Sequence, residues 1–265
     1  MKLAIVQMSV KQSDFEFNFE KADAFAARAK REGADMVVFP EMFVCGFSYK
    51  KNLEYVLENP GQPQGRLSQI AERNKIWLCG SAPYMEGAQL PTNRLWLFDQ
   101  SGCARASYDK MHLFSLFREN LHCNPGREIC VAETPFGKIG LSICYDLRFP
   151  KMFSDMADAG AGIIILVGAW PYPRLDHWQT LSRARAVENQ VFFVCVNQCG
   201  TENFGQKAVK YFGGSEVIGP WGEVLADCQI DRPDSISFCD IDFSLIEEAR
   251  AKLPSYKDKI PGLDI

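Results

Sequence analysis

The sequence has few of the features that mark disulfide-rich, membrane-spanning or zinc-binding proteins. None of its ten cysteines lies in a Cys-x-x-Cys pair, so the usual spacing of zinc ribbons and thioredoxin-like redox sites is absent. The longest apolar run, 160–170, reaches only about half of a membrane span, and no signal-peptide pattern follows Met1. We therefore expect no membrane contact, a cytoplasmic location and reduced thiols.

The sequence also has no excess of positive charge and only three histidines. Lys and Arg total 29 against 33 Asp and Glu, which gives a formal net charge of -4. This balance argues against a general nucleic-acid binder. The three histidines, His112, His122 and His177, are far apart and lack metal-ligand spacing. We expect them to have loop or packing roles, and we expect neither a metal nor an organic cofactor.

What the sequence does contain is an ordinary globular composition and a regular alternation of strand-like and helix-like segments. Apolar residues make up 47% and charged residues 23%. There is no low-complexity segment, no fixed-period repeat and no long linker. The sequence therefore predicts one domain over residues 1–265.

Hydrophobic periodicity and turn residues predict the elements of this domain. The predicted helices are 15–31, 67–74, 150–159, 175–189 and 243–251. The predicted strands are 3–8, 36–39, 76–81, 94–99, 104–110, 129–134, 138–144, 163–167, 191–197, the hairpin 215–226 and 237–241. Roughly eleven strands and five helices in mixed order indicate a layered α/β fold, with two mixed sheets face to face and helices outside.

Three reactive side chains occur where predicted strands end, a position that projects side chains from a rigid scaffold into a cleft. Glu41 follows an apolar strand that Pro40 stops, and Lys110 precedes an apolar turn. Cys144 lies where a strand enters a turn and then a helix, as in a nucleophile elbow, and a nearby helix N-terminus would favour its thiolate. Taken singly, each also fits a structural role: a solvated Glu, a surface Lys and a buried Cys.

Together, the three residues fit one chemistry. Hydrolysis of an amide by a thiol needs a nucleophile, a proton acceptor that later donates to the leaving amine, and a group that stabilises the oxyanion. Cys144, Glu41 and Lys110 can fill these roles without a metal or an organic cofactor.

The segments around these residues resemble the three signature segments of the nitrilase superfamily of carbon–nitrogen hydrolases. Residues 39–41 read FPE, 108–114 read YDKMHLF and 143–150 read ICYDLRFP. The order Glu, Lys, Cys is that of the family. Flanking segments also match: 1–7, 184–190 (ARAVENQ) and 219–223 (GPWGE). The resemblance therefore extends over nearly the whole chain.

This resemblance implies a four-layer αββα sandwich and a homodimer packed through helices near the nucleophile. It also implies a second glutamate beside the triad, for which Glu119 is the candidate, nine residues after Lys110. Tyr145 carries over as the residue whose backbone N–H joins Lys110 in holding the oxyanion.

Within the superfamily, residues 168–178 are similar to the omega-amidase branch, which removes the terminal amide of 2-oxoglutaramate or 2-oxosuccinamate. The implied partners are a small amide substrate and water, and the implied reaction passes through a cysteinyl thioester. Trp170 and Phe117 are expected to contact the substrate. A distant substrate carboxylate needs a cation, and the candidates are Arg118 and Arg174.

Several alternatives remain open at this stage. Deaminated-glutathione amidase, N-carbamoyl amino acid hydrolase and nitrilase activities use the same triad, and a non-catalytic scaffold of the same fold or a cysteine-based metal module belongs to another class. Arg148 is expected to be a structural ion-pair partner of Asp146 or Glu188. Five aromatic residues are expected to be core rather than pocket wall when each is considered alone: Phe43, Phe114, Phe117, Tyr145 and Trp170.

Overall fold

The strands form two large sheets in the computed structural model, which describes residues 1–85, 87, 90–204 and 207–260. The first sheet has the order β14-β1-β2-β3-β4-β5. Its strands are β1 (Lys2–Gln7), β2 (Met36–Val38), β3 (Trp77–Tyr84), β4 (Thr92–Phe98), β5 (Ala104–Asp109) and β14 (Ser235–Asp240). β1, β2 and β3 are parallel, and the other neighbours are antiparallel, so the sheet is mixed.

The second sheet has the order β13-β12-β9-β8-β7-β6, with β7, β8 and β9 parallel. Its strands are β6 (Cys130–Thr134), β7 (Gly137–Ile143), β8 (Ile163–Gly168), β9 (Phe192–Asn197), β12 (Glu216–Ile218) and β13 (Val224–Asp227). A separate antiparallel hairpin joins β10 (Cys199–Phe204) to β11 (Lys207–Phe212).

Six α-helices cover the sheets in the part of the chain that the structure describes. They are α1 (Phe15–Arg31), α2 (Tyr49–Glu58), α3 (Gln62–Asn74), α4 (Pro150–Asp158), α5 (Leu175–Asn189) and α6 (Ser244–Lys252). The Asp14 side chain accepts a hydrogen bond from the Phe17 N–H and so caps α1. None of the helices described is long and apolar enough to cross a membrane.

The residues of β1 show how the layers are built, because successive side chains of a strand point to opposite faces. Leu3 and Ile5 belong to the core between the two sheets, whereas Ala4 and Val6 pack in the core beneath α1 and α3. Beyond the second sheet, α4 buries Phe153 completely. The order helix, sheet, sheet, helix confirms the predicted four-layer αββα sandwich.

The predicted elements agree with the structure except for one helix, one hairpin and the start of α3. The bounds of α1 and α5 are those predicted, but α2 and the hairpin β10–β11 were not predicted, and α3 begins five residues earlier than expected. The six α-helices and fourteen strands described exceed the expected numbers accordingly.

The packing of the two sheets brings the ends of β2, β7 and β8 together. Glu41 follows β2, Cys144 follows β7, and Gly168 is the last residue of β8. The Glu41 N–H donates to the Gly168 carbonyl at 3.4 Å, which links the two sheets at this point. The candidate site therefore lies where the carboxyl ends of these strands meet.

Candidate active site

Glu41 lies in a short irregular segment that begins where Pro40 ends β2. Proline has no N–H to donate to a neighbouring strand, so it stops the ladder there. The Met42 N–H donates to Ser81 Oγ on β3 at 2.8 Å and holds the segment against the sheet. The Glu41 side chain is thereby buried, with 1% exposure.

Lys110 follows β5 and is held by backbone hydrogen bonds on both sides. Its N–H donates to the Asn93 carbonyl at 3.0 Å, and its own carbonyl accepts from the Gly126 N–H at 2.9 Å. A side chain at position 126 would collide with the backbone carbonyl of Asp109, so glycine is required for this close approach.

The Lys110 ammonium lies between two buried carboxylates. Its Nζ atom is 2.8 Å from Glu41 Oε1 and 2.8 Å from Glu119 Oε2. Asn93 Nδ2 donates to Glu41 Oε1 at 2.8 Å and reaches Glu119 Oε1 at 3.5 Å. A buried charge is tolerated when it is paired and hydrogen-bonded, and here one cation serves two anions. The resemblance to the family implied Glu119, and the structure places it beside the triad.

The two carboxylates differ in the number of hydrogen bonds that their oxygens accept. Glu119 lies at the start of a 3-10 turn, where Oε2 accepts from Lys110 and from the Phe114 N–H (2.7 Å), and Oε1 accepts from Lys110 at 3.1 Å. Glu41 Oε2 has no hydrogen-bond partner among the described residues, and the Cys144 thiol lies beside this carboxylate. Both oxygens of Glu119 therefore accept hydrogen bonds, whereas Glu41 keeps one oxygen without such a bond, and the Cys144 thiol faces the Glu41 carboxylate.

Cys144 opens a tight turn at the end of β7. Its φ is 51°, in the left-handed region that residues other than glycine rarely adopt. Asp146 closes the turn, because its Oδ2 accepts from the Ile143 N–H (2.9 Å) and from the Tyr108 O–H (2.7 Å). The turn therefore has the sharp strand-to-turn form expected of a nucleophile elbow.

Burial decides the protonation state of the thiol. Burial, followed by the charge of Glu41, raises the pKa of Cys144 well above its ordinary value, although Lys110 opposes this rise. The expectation that the turn favours a thiolate is therefore not met. A thiol of this kind needs a base at the moment of attack.

The other two groups of the triad are shifted as well. Burial raises the pKa of Glu41, an effect that the Lys110 charge opposes and Glu119 adds to. Burial alone would lower the pKa of Lys110, but the Glu119 and Glu41 carboxylates outweigh it and raise that pKa well above its usual range. Lys110 thus stays charged, and Glu41 is adjusted toward a useful base.

A pocket opens above these groups. Four of the five residues predicted to contact substrate line it: Phe117, Tyr145, Trp170 and Arg174. Phe114 also lines it, whereas Phe43 is fully buried and stacks on Phe39 with ring centroids 4.7 Å apart. We call Glu41, Lys110, Glu119 and Cys144 the floor of the pocket.

The structure does not bring Arg118 into this pocket. Arg118 is exposed, with φ of 59° between two 3-10 turns, and it is not among the lining residues. Arg174 does line the pocket, with its guanidinium 5.6 Å from the centre of the Phe114 ring. Of the two predicted cations, only Arg174 is placed to meet a substrate.

Arg148 lines the pocket too, which corrects the expectation that it pairs with Asp146 or Glu188. Asp146 is bonded elsewhere, and Glu188 pairs with Arg185 at 2.9 Å. The Arg148 guanidinium instead lies 4.7 Å from the centre of the Trp170 ring. We call Arg148 and Arg174 the rim of the pocket.

No group of side chains that could hold a metal ion was found among the described residues. The three histidines make other contacts. His112 stacks on Phe149 at 3.6 Å and its Nδ1 lies 2.7 Å from Asp146 Oδ1. His122 stacks on Tyr49 at 4.9 Å. His177 Nδ1 lies 3.1 Å from Arg148 Nη2 at the pocket rim.

Four further residues of the site were not predicted from the sequence. Asn93 bridges the two glutamates, while Phe47, Tyr49 and Tyr211 form part of the wall. Tyr49 begins a helix that was not predicted, and Tyr211 lies on a hairpin that was not predicted. Asn93 carried no local signal either, because it lies just before the predicted strand 94–99, whereas the structure places it in β4.

Comparison with known proteins agrees with this geometry. A family model described as carbon–nitrogen hydrolase matches residues 2–251. Omega-amidase NIT2 of Homo sapiens is 31% identical over 266 residues, covering 97% of this chain and 94% of that protein. Omega-amidase NIT2 of Danio rerio is also 31% identical, with 97% and 94% coverage.

A solved structure gives the same comparison in three dimensions. An amidase from Nesterenkonia sp. AN1 is 28% identical and superposes with a TM-score of 0.85, covering 97% of this chain and 99% of that one. In that structure, acrylamide has added to the active-site cysteine of the amidase.

Proposed function

The chain belongs to the carbon–nitrogen hydrolase family and is an amidase, and on this premise we propose that it hydrolyses a small omega-amide of a dicarboxylic acid, such as 2-oxoglutaramate. The observation that carries this proposal is a thiol beside a buried Glu–Lys–Glu cluster, beneath a rim that holds two arginines. The products are ammonia and the free dicarboxylic acid.

In the first half-reaction, Cys144 Sγ attacks the amide carbon while Glu41 takes the thiol proton. Lys110 Nζ and the Tyr145 backbone N–H hold the oxyanion that develops on the carbonyl oxygen. Glu41 then gives its proton to the leaving nitrogen, so the C–N bond breaks, ammonia departs, and a thioester remains on Cys144.

In the second half-reaction, water replaces ammonia. Glu41 takes a proton from the water as its oxygen attacks the thioester carbon, and the same donors hold the second oxyanion. The C–S bond breaks, and the proton returns from Glu41 to the sulfur. One amide and one water thus yield one acid and one ammonia, with no other reactant.

The contacts of the two glutamates support this division of roles. Glu41 has a free oxygen beside Cys144, whereas both oxygens of Glu119 accept hydrogen bonds. A carboxylate whose two oxygens both accept hydrogen bonds is poorly placed to take a proton from the thiol. It can, however, hold the Lys110 ammonium in position and keep it charged. We therefore assign Glu41 as the base and Glu119 as the residue that holds Lys110.

The contacts of the two rim arginines favour a substrate that carries a carboxylate. Among the described residues, Arg148 and Arg174 have no carboxylate partner. The only side-chain hydrogen bond of Arg148 within this part of the chain is with His177. The floor already holds two glutamates, so an anionic substrate would be repelled unless cations offset its charge. A guanidinium can bind a carboxylate with two parallel hydrogen bonds.

The experiment that tests this proposal is a comparison of kcat/KM for 2-oxoglutaramate and for an uncharged amide of the same length. A pocket that reads charge should favour the acid strongly. Equal kcat/KM values for the two substrates would contradict the omega-amidase assignment. Ammonia release from deaminated glutathione, N-carbamoyl amino acids and simple nitriles in the same assay separates the other members of the superfamily.

We propose further that residues 1–265 form one catalytic domain that assembles as a homodimer through the surface near α5. Val187 on α5 is 49% exposed, and Trp221 in the β12–β13 turn is 55% exposed. This turn lies against Val187, since a Cβ at Gly222 would come within 2.7 Å of Val187 Cγ2. Neighbouring exposed apolar side chains are typical of association surfaces.

The assembly is tested with Val187→Arg, which should convert a dimer to a monomer in light scattering after gel filtration. Leu57→Arg is the control, because Leu57 is 62% exposed on α2. A monomeric wild-type protein would contradict the proposal.

The cytoplasmic location also remains a proposal. All ten cysteines are free of disulfide bonds in the structure, as a reducing compartment would require. Fractionation of cells that produce the chain, with detection in the cytosolic fraction, is the test.

A further inference from the structure

Asn93 lies beside the floor, outside the pocket lining, and is almost completely buried, with 1% exposure. Its Nδ2 atom donates to Glu41 Oε1 at 2.8 Å and lies 3.5 Å from Glu119 Oε1. Its backbone carbonyl accepts from the Lys110 N–H at 3.0 Å. One residue of β4 therefore contacts three of the four floor residues.

The alternation of side chains along β4 directs the Asn93 amide toward the second sheet. Leu95 and Leu97 pack in the core between the two sheets, whereas Trp96 and Phe98 pack in the core beneath α1 and α3. Side chains two residues apart share a face of a strand, so Asn93 lies on the same face as Leu95. The inward face of β4 thus changes from apolar to polar where the floor begins.

The two glutamates fix which way the Asn93 amide is turned. Nδ2 carries two donors and Oδ1 only accepts, so the nitrogen must face the carboxylates of Glu41 and Glu119. Oδ1 has no hydrogen-bond partner among the described residues. A buried acceptor without a partner is unfavourable, and an apolar side chain of the same size would avoid that penalty. The amide is therefore better explained by its effect on the carboxylates than by packing.

The contacts of this amide distinguish the two oxygens of Glu41. Oε1 accepts from Lys110 Nζ and from Asn93 Nδ2, each at 2.8 Å. Oε2 accepts no hydrogen bond from the described residues, and the Cys144 thiol faces this carboxylate. With Lys110 alone, either oxygen could accept from the ammonium. Two donors that converge on Oε1 hold the carboxylate in one orientation.

The titratable groups around Glu41 leave Asn93 as its one neutral donor besides the thiol. The charged neighbours are Lys110 and Glu119, which act on Glu41 in opposite directions. Two thiols and two phenols also sense the Glu41 charge, and burial raises the pKa of each above the neutral range: Cys123, Cys144, Tyr49 and Tyr211. These four groups are therefore uncharged near pH 7.

We propose that Asn93 is a positioning residue for the base, because its amide holds Glu41 Oε1 and so leaves Oε2 to take the proton from Cys144. The inference rests on the proposed amide hydrolysis, in which Glu41 is the base. A donor that binds a carboxylate stabilises its ionised form, and the ionised form is the one that accepts a proton. Asn93 thus extends the active range of the enzyme to lower pH.

The first test measures kcat/KM for the amide substrate as a function of pH in wild type and in Asn93→Leu. Leucine is similar in size to asparagine but has no donor, so Glu41 should bind its proton more tightly in the variant. The acid limb of the profile should move to higher pH by about one to two units, the range of a hydrogen bond to a charged group. KM should change less than kcat, because Asn93 does not line the pocket.

Asn52→Leu is the matched control for this substitution. Asn52 is also buried, with 2% exposure, its Nδ2 donates at 2.8 Å, and its Oδ1 is unpaired among the described residues. Its acceptor, however, is the Gly46 backbone carbonyl and not a carboxylate. This variant should therefore keep the wild-type acid limb, whatever it does to stability.

Asn93→Ala removes the amide without placing a branched side chain beside the carboxylates, and it should shift the acid limb in the same direction. Circular dichroism shows which of the two variants is folded, and a folded variant decides the question. An acid limb that stays at its wild-type position in folded Asn93→Leu or Asn93→Ala would overturn the proposal. An equal shift in Asn52→Leu would overturn it as well.

A reaction that involves no amide separates this inference from the proposed function. Methyl methanethiosulfonate modifies thiolates, and its rate at the Cys144 peptide, followed by mass spectrometry, reports removal of the thiol proton. The first rise of this rate with pH should occur at higher pH in Asn93→Leu than in wild type. In Glu41→Gln, where the base is absent, adding Asn93→Leu should cause no further shift.

The two failures are therefore distinguishable. If no amide is hydrolysed but the modification rate of Cys144 shows this dependence, the proposed function fails and the positioning role of Asn93 stands. If amides are hydrolysed but the modification profile is the same in wild type and Asn93→Leu, the positioning role is wrong. A shift that persists in the Glu41→Gln background would also overturn it, since Asn93 would then act through another group.

Discussion

The floor and the rim of the pocket handle positive charge in opposite ways. On the floor, the Lys110 ammonium lies 2.8 Å from each of two carboxylates, so its charge is balanced without a ligand. At the rim, Arg148 and Arg174 rest on aromatic rings and have no carboxylate partner among the described residues. The difference suggests that the chemistry is built into the floor, whereas the rim is completed by the charge of a substrate.

The largest effect should come from removing the nucleophile of the floor. Cys144→Ala should lower kcat by on the order of 10⁴-fold or more while leaving the fold intact. Cys144→Ser should be nearly inactive as well, since a Glu base suited to a thiol is a weak base for a hydroxyl. Ammonia release and circular dichroism check both statements. Cys103→Ala, at an exposed cysteine, is the control, and near wild-type activity in Cys144→Ala would refute the assignment.

The next effect separates the two glutamates of the floor. Glu41→Gln should reduce acylation and thioester hydrolysis by on the order of 10²–10⁴-fold, because no other described base faces Cys144. Glu119→Gln should have a smaller effect, since it only weakens the hold on Lys110. Single-turnover measurements resolve the two steps. Normal acylation in Glu41→Gln would show that another group takes the thiol proton.

Loss of the floor cation should affect the transition state more than substrate binding. Lys110→Met should cost about 3 kcal/mol or more in kcat, with little change in KM. Lys138→Met, at a half-exposed lysine, is the control. A large rise in KM with unchanged kcat would assign Lys110 to binding instead. The thermal stability of the variant needs to be measured as well, because two buried carboxylates lose their shared cation.

The rim variants should change preference and not rate. Arg174→Ala should lose about 1.5–3 kcal/mol of the preference for 2-oxoglutaramate over the uncharged amide, the range of hydrogen bonds to charged groups. Arg148→Ala should do the same if both cations meet the carboxylate. Arg118→Ala is the matched control, because Arg118 is exposed and outside the pocket lining. A loss of preference confined to Arg118→Ala would reverse the assignment.

The smallest effect concerns stability as a function of pH. Burial raises the pKa of Glu202, on β10, to about 7 in the folded protein, and this pKa is near its ordinary value when unfolded, so the unfolded state releases this proton first as pH rises. Wild-type stability should therefore fall by roughly 2 kcal/mol between pH 4.5 and 7, and Glu202→Gln should lack this loss. Thermal melts at pH 5 and 8 give the comparison. A gap between variant and wild type that does not widen with pH would contradict it.

The sequence predicted the floor better than the walls. Glu41, Lys110 and Cys144 each follow a strand in a recognisable local segment, so pattern was sufficient to find them. The helix α2 was not predicted, although Tyr49, Leu53 and Val56 recur at helical spacing, and only Asn52 and Val56 of its ten residues are buried. The hairpin β10–β11 was missed because it pairs with neither main sheet.

The placement of the arginines could not be read from the sequence for a different reason. Arg118 and Arg148 both neighbour catalytic segments, but the left-handed turn at Arg118 leaves that residue exposed, while Arg148 stacks over Trp170. Which of them enters the pocket depends on the backbone angles of two short turns. Asn93 is similar, because its role depends on tertiary contacts with Glu41 and Glu119.

The most direct test of the account is to locate the covalent intermediate. Acid quenching during turnover of 2-oxoglutaramate, followed by peptide mass spectrometry, should reveal the substrate acyl group on the peptide that contains Cys144, and on none of the peptides that contain the other nine cysteines. Cys144→Ala should show no adduct. An acyl group on another cysteine would contradict the account. So would ammonia release in a single turnover during which Cys144 is never acylated.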